Sequence, residues 1–335
     1  MSELWQRALA PGAMAAAVDR LTGVASAGGT IVLACHVGPD GDALGATLAL
    51  HLALKELGAR SVPTWGEEPL RVPAPYVDLP GVEDVTAPSD LPRDPALLVT
   101  LDAASEERLG SVRSLLDTGV PTIVVDHHVT NTGFGDVKLV APDAAATVTV
   151  IERLVHDLGV EVGPEIATCL YVGLVTDTGR FQHANTDRAT MELAGRLIEA
   201  GAPHEELGRR LFDTRSLGEV TVVGRALARL EFVPDVALAH TYVSAEELDA
   251  AGVGIEQIEG LIDLVRSVDV AEVAMVAKEA GDGWRVSLRS KGAVDVGAIA
   301  VRLGGGGHAY AGGYTSRVGV DEVVKELLEQ LRAET

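Results

Sequence analysis

The chain has 335 residues, of which 47% are hydrophobic and 4% aromatic, and this length favours two domains. Its formal net charge of −22 argues against a surface for long duplex nucleic acid, while a small phosphorylated substrate held through cations remains compatible with it. No apolar run reaches the roughly 18 residues of a membrane span, so we expect a cytoplasmic protein without membrane contact.

Strand-like and helix-like segments alternate between residues 30 and 190. The predicted strands are 30–35, 96–101 and 122–125, and the predicted helices are 42–57, 144–158 and 164–174. This alternation predicts an α/β fold with a mostly parallel sheet covered by helices.

The pattern changes in the second half of the chain. Residues 190–230 have helical periodicity, broken near Gly201. They are followed by predicted strands at 236–243, 273–277 and 284–289 and predicted helices at 255–265 and 320–331. We therefore expect a first domain at residues 1–200, a helical connector at 201–230 and a smaller α/β domain at 231–335.

Aspartate and histidine side chains follow the apolar runs of the first domain. Because parallel sheets bind ligands at the carboxyl ends of their strands, we expect these groups to converge in one crevice. So many carboxylates repel one another unless cations lie between them. The candidates are His36, Asp40, Asp42, Asp102, Asp126, His127, His128 and Asp177.

Structural alternatives exist for several of these groups. Asp40 or Asp42 could cap the helix that follows, and Asp102 could cap the next turn. Cys35 and Cys169 lie inside apolar runs and are interpreted as buried hydrophobic side chains. Oxygen and imidazole ligands without thiolates suit Mn²⁺ or Mg²⁺, and the histidines favour Mn²⁺. The number of ligands predicts two ions that share a carboxylate and act on a phosphoryl group.

The second domain carries four consecutive glycines, residues 304–307, followed by His308. They predict either a flexible surface loop or a loop whose amides bind phosphate, with His308 as a further donor. Arg289 and Lys291, at the end of a predicted strand, are either solvated or supply a bidentate phosphate donor and a second cation.

In combination, these motifs resemble those of the DHH phosphoesterase superfamily. They are His36-x-x-Pro-Asp40-x-Asp42, Asp102, Asp126-His127-His128 and Asp177. The stretch from Gly304 to Gly312 resembles the signature of the DHHA1 domain. The likeness covers residues 25–330, and the size and short connector are most similar to the bifunctional oligoribonuclease and PAP phosphatase group, the nanoRNases.

This resemblance implies a role for each group. His36 and Asp40 would bind the first ion, Asp42, His127 and Asp177 the second, and Asp102 both. His128 would lie close to the scissile phosphate, and Asp126 would orient the imidazoles. The nucleotide end of the substrate would be held by Arg289, Gly305, Gly306 and His308.

The resemblance also implies an activity: hydrolysis of short single-stranded oligoribonucleotides and linear dinucleotides to 5′-mononucleotides, and of 3′-phosphoadenosine 5′-phosphate (PAP) to AMP. The alternatives are a cyclic di-nucleotide phosphodiesterase acting on compounds such as cyclic di-AMP, an inorganic pyrophosphatase, and a non-catalytic nucleotide sensor. The sequence leaves open the preferred substrate, the cleavage polarity, the physiological metal and whether the chain forms a homodimer.

Overall fold

Five short apolar segments form the first sheet in the computed structural model, which describes residues 4–7 and 9–334. The strands are β1 (Thr30–Cys35), β2 (Arg60–Trp65), β3 (Leu97–Leu101), β4 (Thr122–Asp126) and β5 (Val137–Val140). All pairs are parallel, in the order β2-β1-β3-β4-β5. β3 and β4 are buried throughout, which explains why they read as continuous apolar runs. The expected α/β class is confirmed.

Six α-helices accompany this sheet. They are α1 (Ala13–Ser26), α2 (Gly41–Glu56), α3 (Thr147–Asp157), α4 (Pro164–Asp177), α5 (Arg188–Glu199) and α6 (His204–Phe212). Every residue of α2 from Gly41 to Leu54 is buried, so this helix lies inside the unit rather than on its surface. The strand order reverses between β1 and β3, and such a reversal opens a crevice at the carboxyl ends of the two strands.

Helices α2 and α4 approach each other closely because glycines remove the side chains between them. A Cβ added at Gly45 would lie 2.4 Å from the carbonyl oxygen of Cys169. One added at Gly173 would lie 2.8 Å from Oδ1 of Asp42. Cys169, like Cys35, is buried, as the sequence predicts. The glycine contacts bring the start of α2 and the end of α4 to the same crevice.

Residues 214–335 form the second unit, and residues 1–213 the first. The second sheet has the order β10-β11-β9-β8-β7-β6, in which β7 and β8 are parallel and the other pairs are antiparallel. Its strands are β6 (Glu231–Val233), β7 (Leu238–Val243), β8 (Val273–Ala280), β9 (Gly283–Ser290), β10 (Gly306–His308) and β11 (Ala311–Ser316). Its helices are α7 (Leu217–Ala228), α8 (Ala245–Ala251), α9 (Leu261–Arg266), α10 (Val296–Arg302) and α11 (Val320–Glu334).

The two faces of the second sheet are covered differently. One face packs against α10 and α11 through Val296, Ile299 and Leu327. On the other face, the apolar side chains of α7, α8 and α9 pack onto Ala239, Ala274 and neighbouring residues of β7 and β8. This second apolar cluster does not extend to β9, β11 or β10 among the described residues.

Two local predictions in this unit were wrong. The glycine-rich stretch is not a loop, because Gly306–His308 pairs with β11 as an edge strand. A Cβ at Gly305 would lie 2.1 Å from the carbonyl oxygen of Gly313, and one at Gly307 would lie 2.3 Å from that of Ala311. Glycine at these two positions therefore serves close backbone packing. The single helix expected at residues 255–265 is a 3-10 turn, Ile255–Ile258, followed by α9.

Candidate metal centre

The structure brings together the aspartates and histidines that follow β1, β3 and β4 and that end α4. Possible ligand atoms lie within 4.8 Å of one another in three overlapping groups. These groups are His36, Asp40 and Asp102; Asp42, His127 and Asp177; and Asp102, His127 and His128. Asp102 and His127 each belong to two groups, so the cluster is continuous.

Asp40 has two roles at once. Its Oδ1 caps α2 by accepting the backbone N–H groups of Asp42 and Ala43, each at 3.0 Å. Its Oδ2 lies 3.9 Å from Nε2 of His36. The capping interpretation and the ligand interpretation of this residue are therefore compatible, because each uses a different oxygen.

Asp42 caps a helix other than its own. Helix α3 begins after Ala146, whose side chain cannot accept a hydrogen bond. The carboxylate of Asp42 accepts the N–H of Thr147 at 2.6 Å and that of Val148 at 3.0 Å. These bonds and the dipole of α3 stabilise a carboxylate that is almost completely buried.

Asp102 lies at the centre of the cluster. Its Oδ2 is 3.5 Å from Nε2 of His36, and its Oδ1 is 3.7 Å from Nε2 of His127. Its φ of +55° is unusual for a residue other than glycine, and such strained backbone concentrates at functional sites. It does not cap the following turn; instead Oδ1 accepts the hydroxyl of Thr147 at 2.8 Å.

His127 faces the carboxylates with one ring nitrogen and the backbone with the other. Nε2 lies 3.5 Å from Oδ2 of Asp177 and 4.0 Å from Oδ2 of Asp42. Nδ1 lies 3.3 Å from the carbonyl oxygen of Ala144, to which a protonated Nδ1 donates. That bond leaves the Nε2 lone pair directed at the carboxylates, which is the tautomer a metal ligand needs.

Asp126, fully buried at the end of β4, holds His128 in place. Its Oδ1 lies 2.7 Å from Nδ1 of His128 and also accepts the backbone N–H groups of His127 and His128. Its Oδ2 accepts from the amide of Asn131 at 2.6 Å. The hydrogen bond that His128 donates to Asp126 raises the pKa of His128 to about 9, so this imidazole is protonated at neutral pH in the metal-free protein.

The electrostatics of the cluster call for cations. Burial, followed by the charges of Asp102 and Asp177, raises the pKa of Asp42 well above its usual range. Burial also raises the pKa of Asp177, to about 6. Burial disfavours the charged form of Asp102 too, but the hydrogen bond with His36 and the charges of His127 and His36 outweigh it and lower the pKa of Asp102 to about 2. A cation between these carboxylates would relieve their mutual repulsion. Carboxylate and imidazole ligands suit Mn²⁺ or Mg²⁺.

Sequence reasoning missed three polar residues that support the cluster. Thr147 binds Asp42 through its N–H and Asp102 through its hydroxyl. Asn131 binds Asp126, and Asn185 donates to the carbonyl oxygens of Ala145 and Asp177. Threonine and asparagine occur in most turns and helix starts, so their identity alone gives no signal.

In the second unit, the strand register places two predicted substrate residues on one face. His308 of β10 pairs with Ala311 of β11, and Ala311 pairs with Arg289 of β9. Directly opposed residues share a face, so the Arg289 and His308 side chains flank the small Ala311, with backbones about 10 Å apart. Arg289 also pairs with Ala274, a member of the apolar cluster formed with α7–α9, which identifies this face as the one against which those helices pack.

The remaining predicted groups of this region have separate surroundings. A Cβ at Gly306 would meet no atom within 4 Å, so glycine there leaves open space above the sheet. A Cβ at Gly305 would instead meet the carbonyl oxygen of Gly313 at 2.1 Å and Cβ of Tyr314 at 2.6 Å. The ammonium group of Lys291 donates to the carbonyl oxygens of Val268 and Asp269, at 2.6 and 3.3 Å.

Carboxylates and imidazoles that converge at the switch point of a parallel α/β sheet are suited to metal-dependent phosphoryl chemistry. The DHH family model for the N-terminal domain matches residues 30–174, and the DHHA1 domain model matches residues 238–335. The chain belongs to the DHH/DHHA1 phosphoesterase family, and the resemblance read from its motifs is confirmed.

Similar proteins agree with this assignment. The bifunctional oligoribonuclease and PAP phosphatase NrnA of Thermus thermophilus is 35% identical over 311 residues, which cover 91% of this chain and 90% of that protein. The structure of an exopolyphosphatase-related protein from Bacteroides fragilis has the same fold, with a TM-score of 0.87, 23% identity and coverage of 95% and 96% of the two chains. RecJ of Thermus thermophilus, solved with Mn²⁺, has a TM-score of 0.58 and 18% identity, and the match covers 97% of this chain and 54% of RecJ.

Proposed function

We propose that this chain is a phosphoesterase dependent on two divalent cations, with Mn²⁺ favoured, that hydrolyses short oligoribonucleotides and linear dinucleotides to 5′-mononucleotides. We include PAP as a second substrate, converted to AMP. The observation that carries the proposal is the position of Asp102, whose two oxygens face two different sets of ligands, one containing His36 and the other containing His127. A carboxylate in this position is suited to bridge two ions.

The ligand assignment follows from these sets. His36 and Asp40 would hold one ion, and Asp42, His127 and Asp177 the other. When bound, the cations would activate the attacking water and neutralise charge on the phosphoryl group. The requirement for imidazole and carboxylate donors without thiolate is met, and both cysteines are buried as neutral side chains.

His128 is suited to bind the phosphate or its leaving oxygen. Its Nδ1 is occupied by Asp126, so the second N–H of the imidazolium, at Nε2, remains for substrate. A protonated imidazole supplies positive charge where negative charge develops in the transition state. The hydrogen bond to the buried carboxylate of Asp126 is the largest cause of the raised pKa of His128 and favours the protonated ring.

The second unit supports recognition of a nucleotide. Within the described part of the chain, the guanidinium group of Arg289 donates one hydrogen bond, to the carbonyl oxygen of Leu288. Its remaining N–H groups are therefore available for phosphate. His308 is exposed on the same face, and Gly306 leaves space for a substrate group. The name of the Thermus thermophilus relative, an oligoribonuclease and PAP phosphatase, fits this substrate class.

A product profile with Mn²⁺ tests the proposal. Initial rates are compared for a diadenylate, a five-residue RNA, PAP, cyclic di-AMP and pyrophosphate, with products resolved by chromatography. We expect the linear substrates to release 5′-mononucleotides and the Asp102→Asn variant, folded by circular dichroism, to be at least about 100-fold slower. If pyrophosphate were turned over fastest, the protein would be an inorganic pyrophosphatase. If cyclic di-AMP were turned over fastest, it would be a cyclic di-nucleotide phosphodiesterase. Nucleotide binding without any product would indicate a sensor.

A further inference from the structure

Thr147, the first residue of α3, contacts two of the acidic residues of the cluster at once. Its backbone N–H lies 2.6 Å from Oδ2 of Asp42, and its hydroxyl lies 2.8 Å from Oδ1 of Asp102. The side chain is fully buried. We propose that Thr147 is a positioning residue that fixes the rotation of the Asp102 carboxylate so that its two oxygens face the two cation sites.

The argument begins with the freedom of Asp102. The terminal torsion of an aspartate is broad, so backbone position alone does not set the plane of its carboxylate. Oδ2 faces His36 at 3.5 Å and Oδ1 faces His127 at 3.7 Å, and neither distance is a tight hydrogen bond. Among the described residues, the hydroxyl of Thr147 makes the shortest hydrogen bond to this carboxylate, at 2.8 Å.

The hydroxyl also limits which electron pairs Asp102 can offer. It occupies one acceptor position of Oδ1, so the other position of that oxygen is left for the side on which His127 and His128 lie, at 3.7 and 3.6 Å. Loss of the hydroxyl would free the carboxylate of Asp102 to rotate, so its two oxygens would no longer be held facing the two cation sites. The N–H of Thr147 is unaffected by side-chain replacement, so Asp42 keeps its cap in a variant.

The same helix supplies a matched control. Thr149 lies two residues further along α3, is buried, and its hydroxyl has no hydrogen-bond partner among the described residues. Thr147→Val and Thr149→Val are therefore the same chemical change at two buried positions of one helix. Only Thr147→Val removes a hydrogen bond to a candidate metal ligand, Asp102.

Mn²⁺ titrations by calorimetry, without substrate, test the inference, which rests on the proposed function for its two cations. We expect Thr147→Val to weaken one Mn²⁺ site by about 10- to 100-fold and to raise the Mn²⁺ concentration for half-maximal activity equally, with KM for diadenylate unchanged. Thr147→Ser should restore affinity to within about 3-fold, and Thr149→Val should match the wild type.

Wild-type Mn²⁺ affinity in Thr147→Val, or an equal loss in Thr149→Val, would overturn the inference. If Thr147→Val does not fold, Thr147→Cys, which keeps a weaker donor, should bind with intermediate affinity, and wild-type affinity in that variant would overturn it as well. Because the titration contains no substrate, these outcomes are independent of whether the protein cleaves diadenylate.

Discussion

Asp126 and His128, two residues apart at the end of β4, are joined side chain to side chain by a 2.7 Å contact between Oδ1 and Nδ1. The same oxygen also accepts the backbone N–H of His128. One fully buried carboxylate therefore fixes both the backbone and the ring of the histidine, and directs the opposite edge of the imidazole away from itself.

Replacing Asp126 by asparagine should lower the pKa of His128 from about 9 toward its ordinary value near 6.5, because a neutral amide stabilises imidazolium less than a carboxylate. Proton NMR titration of the metal-free protein measures this change. Turnover of diadenylate at pH 8 should fall by about 10- to 100-fold. An unchanged His128 titration would mean that the contact does not control its protonation.

Stabilisation by Mn²⁺ should increase between pH 5 and pH 7. The folded-state pKa of Asp177 is raised to about 6, so its contribution to stability is fully present below pH 3.8 and is lost as the pH rises through 6 in the metal-free protein. Mn²⁺ requires the ionised carboxylate, so its affinity should fall about 10-fold per pH unit below pH 6 for one displaced proton.

Melting temperatures with and without Mn²⁺ at each pH measure this effect. The protein in chelator is the control, since it reports the pH dependence of the empty cluster alone. An Mn²⁺-induced shift as large at pH 5 as at pH 7 would contradict the position of Asp177 among the ligands.

Arg289→Ala should raise KM for diadenylate by about 10- to 100-fold, because a hydrogen-bonded charge to phosphate contributes about 1.5–3 kcal/mol. The content of bound Mn²⁺ should remain that of the wild type, since Arg289 belongs to the second unit. Arg317→Ala is the control: this arginine of the same unit is 80% exposed and pairs with Asp282. Lost metal, or an equal effect in Arg317→Ala, would show that Arg289 does not bind substrate.

Gly45→Ala should destabilise the protein by about 1–3 kcal/mol, because its Cβ would lie 2.4 Å from a backbone oxygen of Cys169 that cannot move aside. Gly23→Ala, inside α1 with no atom within 4 Å of the added Cβ, should instead stabilise it by about 0.5–1 kcal/mol. Urea denaturation measures both. Similar effects of the two substitutions would show that the α2–α4 approach tolerates a methyl group.

Much of the first unit could be predicted because its signals are local. Buried parallel strands are continuous apolar runs, and residues 30–35 were predicted with the bounds of β1. β2 was missed because its sequence, Arg-Ser-Val-Pro-Thr-Trp, contains a proline and polar residues, and it is buried only at its end. The predicted start of α3 came three residues early, which placed Thr147 inside a helix rather than at its first turn.

The candidate ligands were recognisable because few structural needs place several aspartates and histidines at strand ends. Their supports were not, since Thr147 and Asn185 act through contacts that are distant in sequence, to Asp102 and Ala145. In the second unit, the glycines suggested a loop because the backbone packing that requires them involves Gly313 and Ala311, partners that a linear pattern does not reveal.

The burial of α2 from Gly41 to Leu54 has a consequence for dynamics. Asp40 and Asp42 lie at the start of a helix with no solvent-facing surface from Gly41 to Leu54, so the helix cannot detach without separating the sheet from α4. Its amide hydrogens should exchange with deuterium only through global unfolding, at the slowest rates in the chain. Cations arriving from solution would then meet a preassembled set of acids rather than induce one.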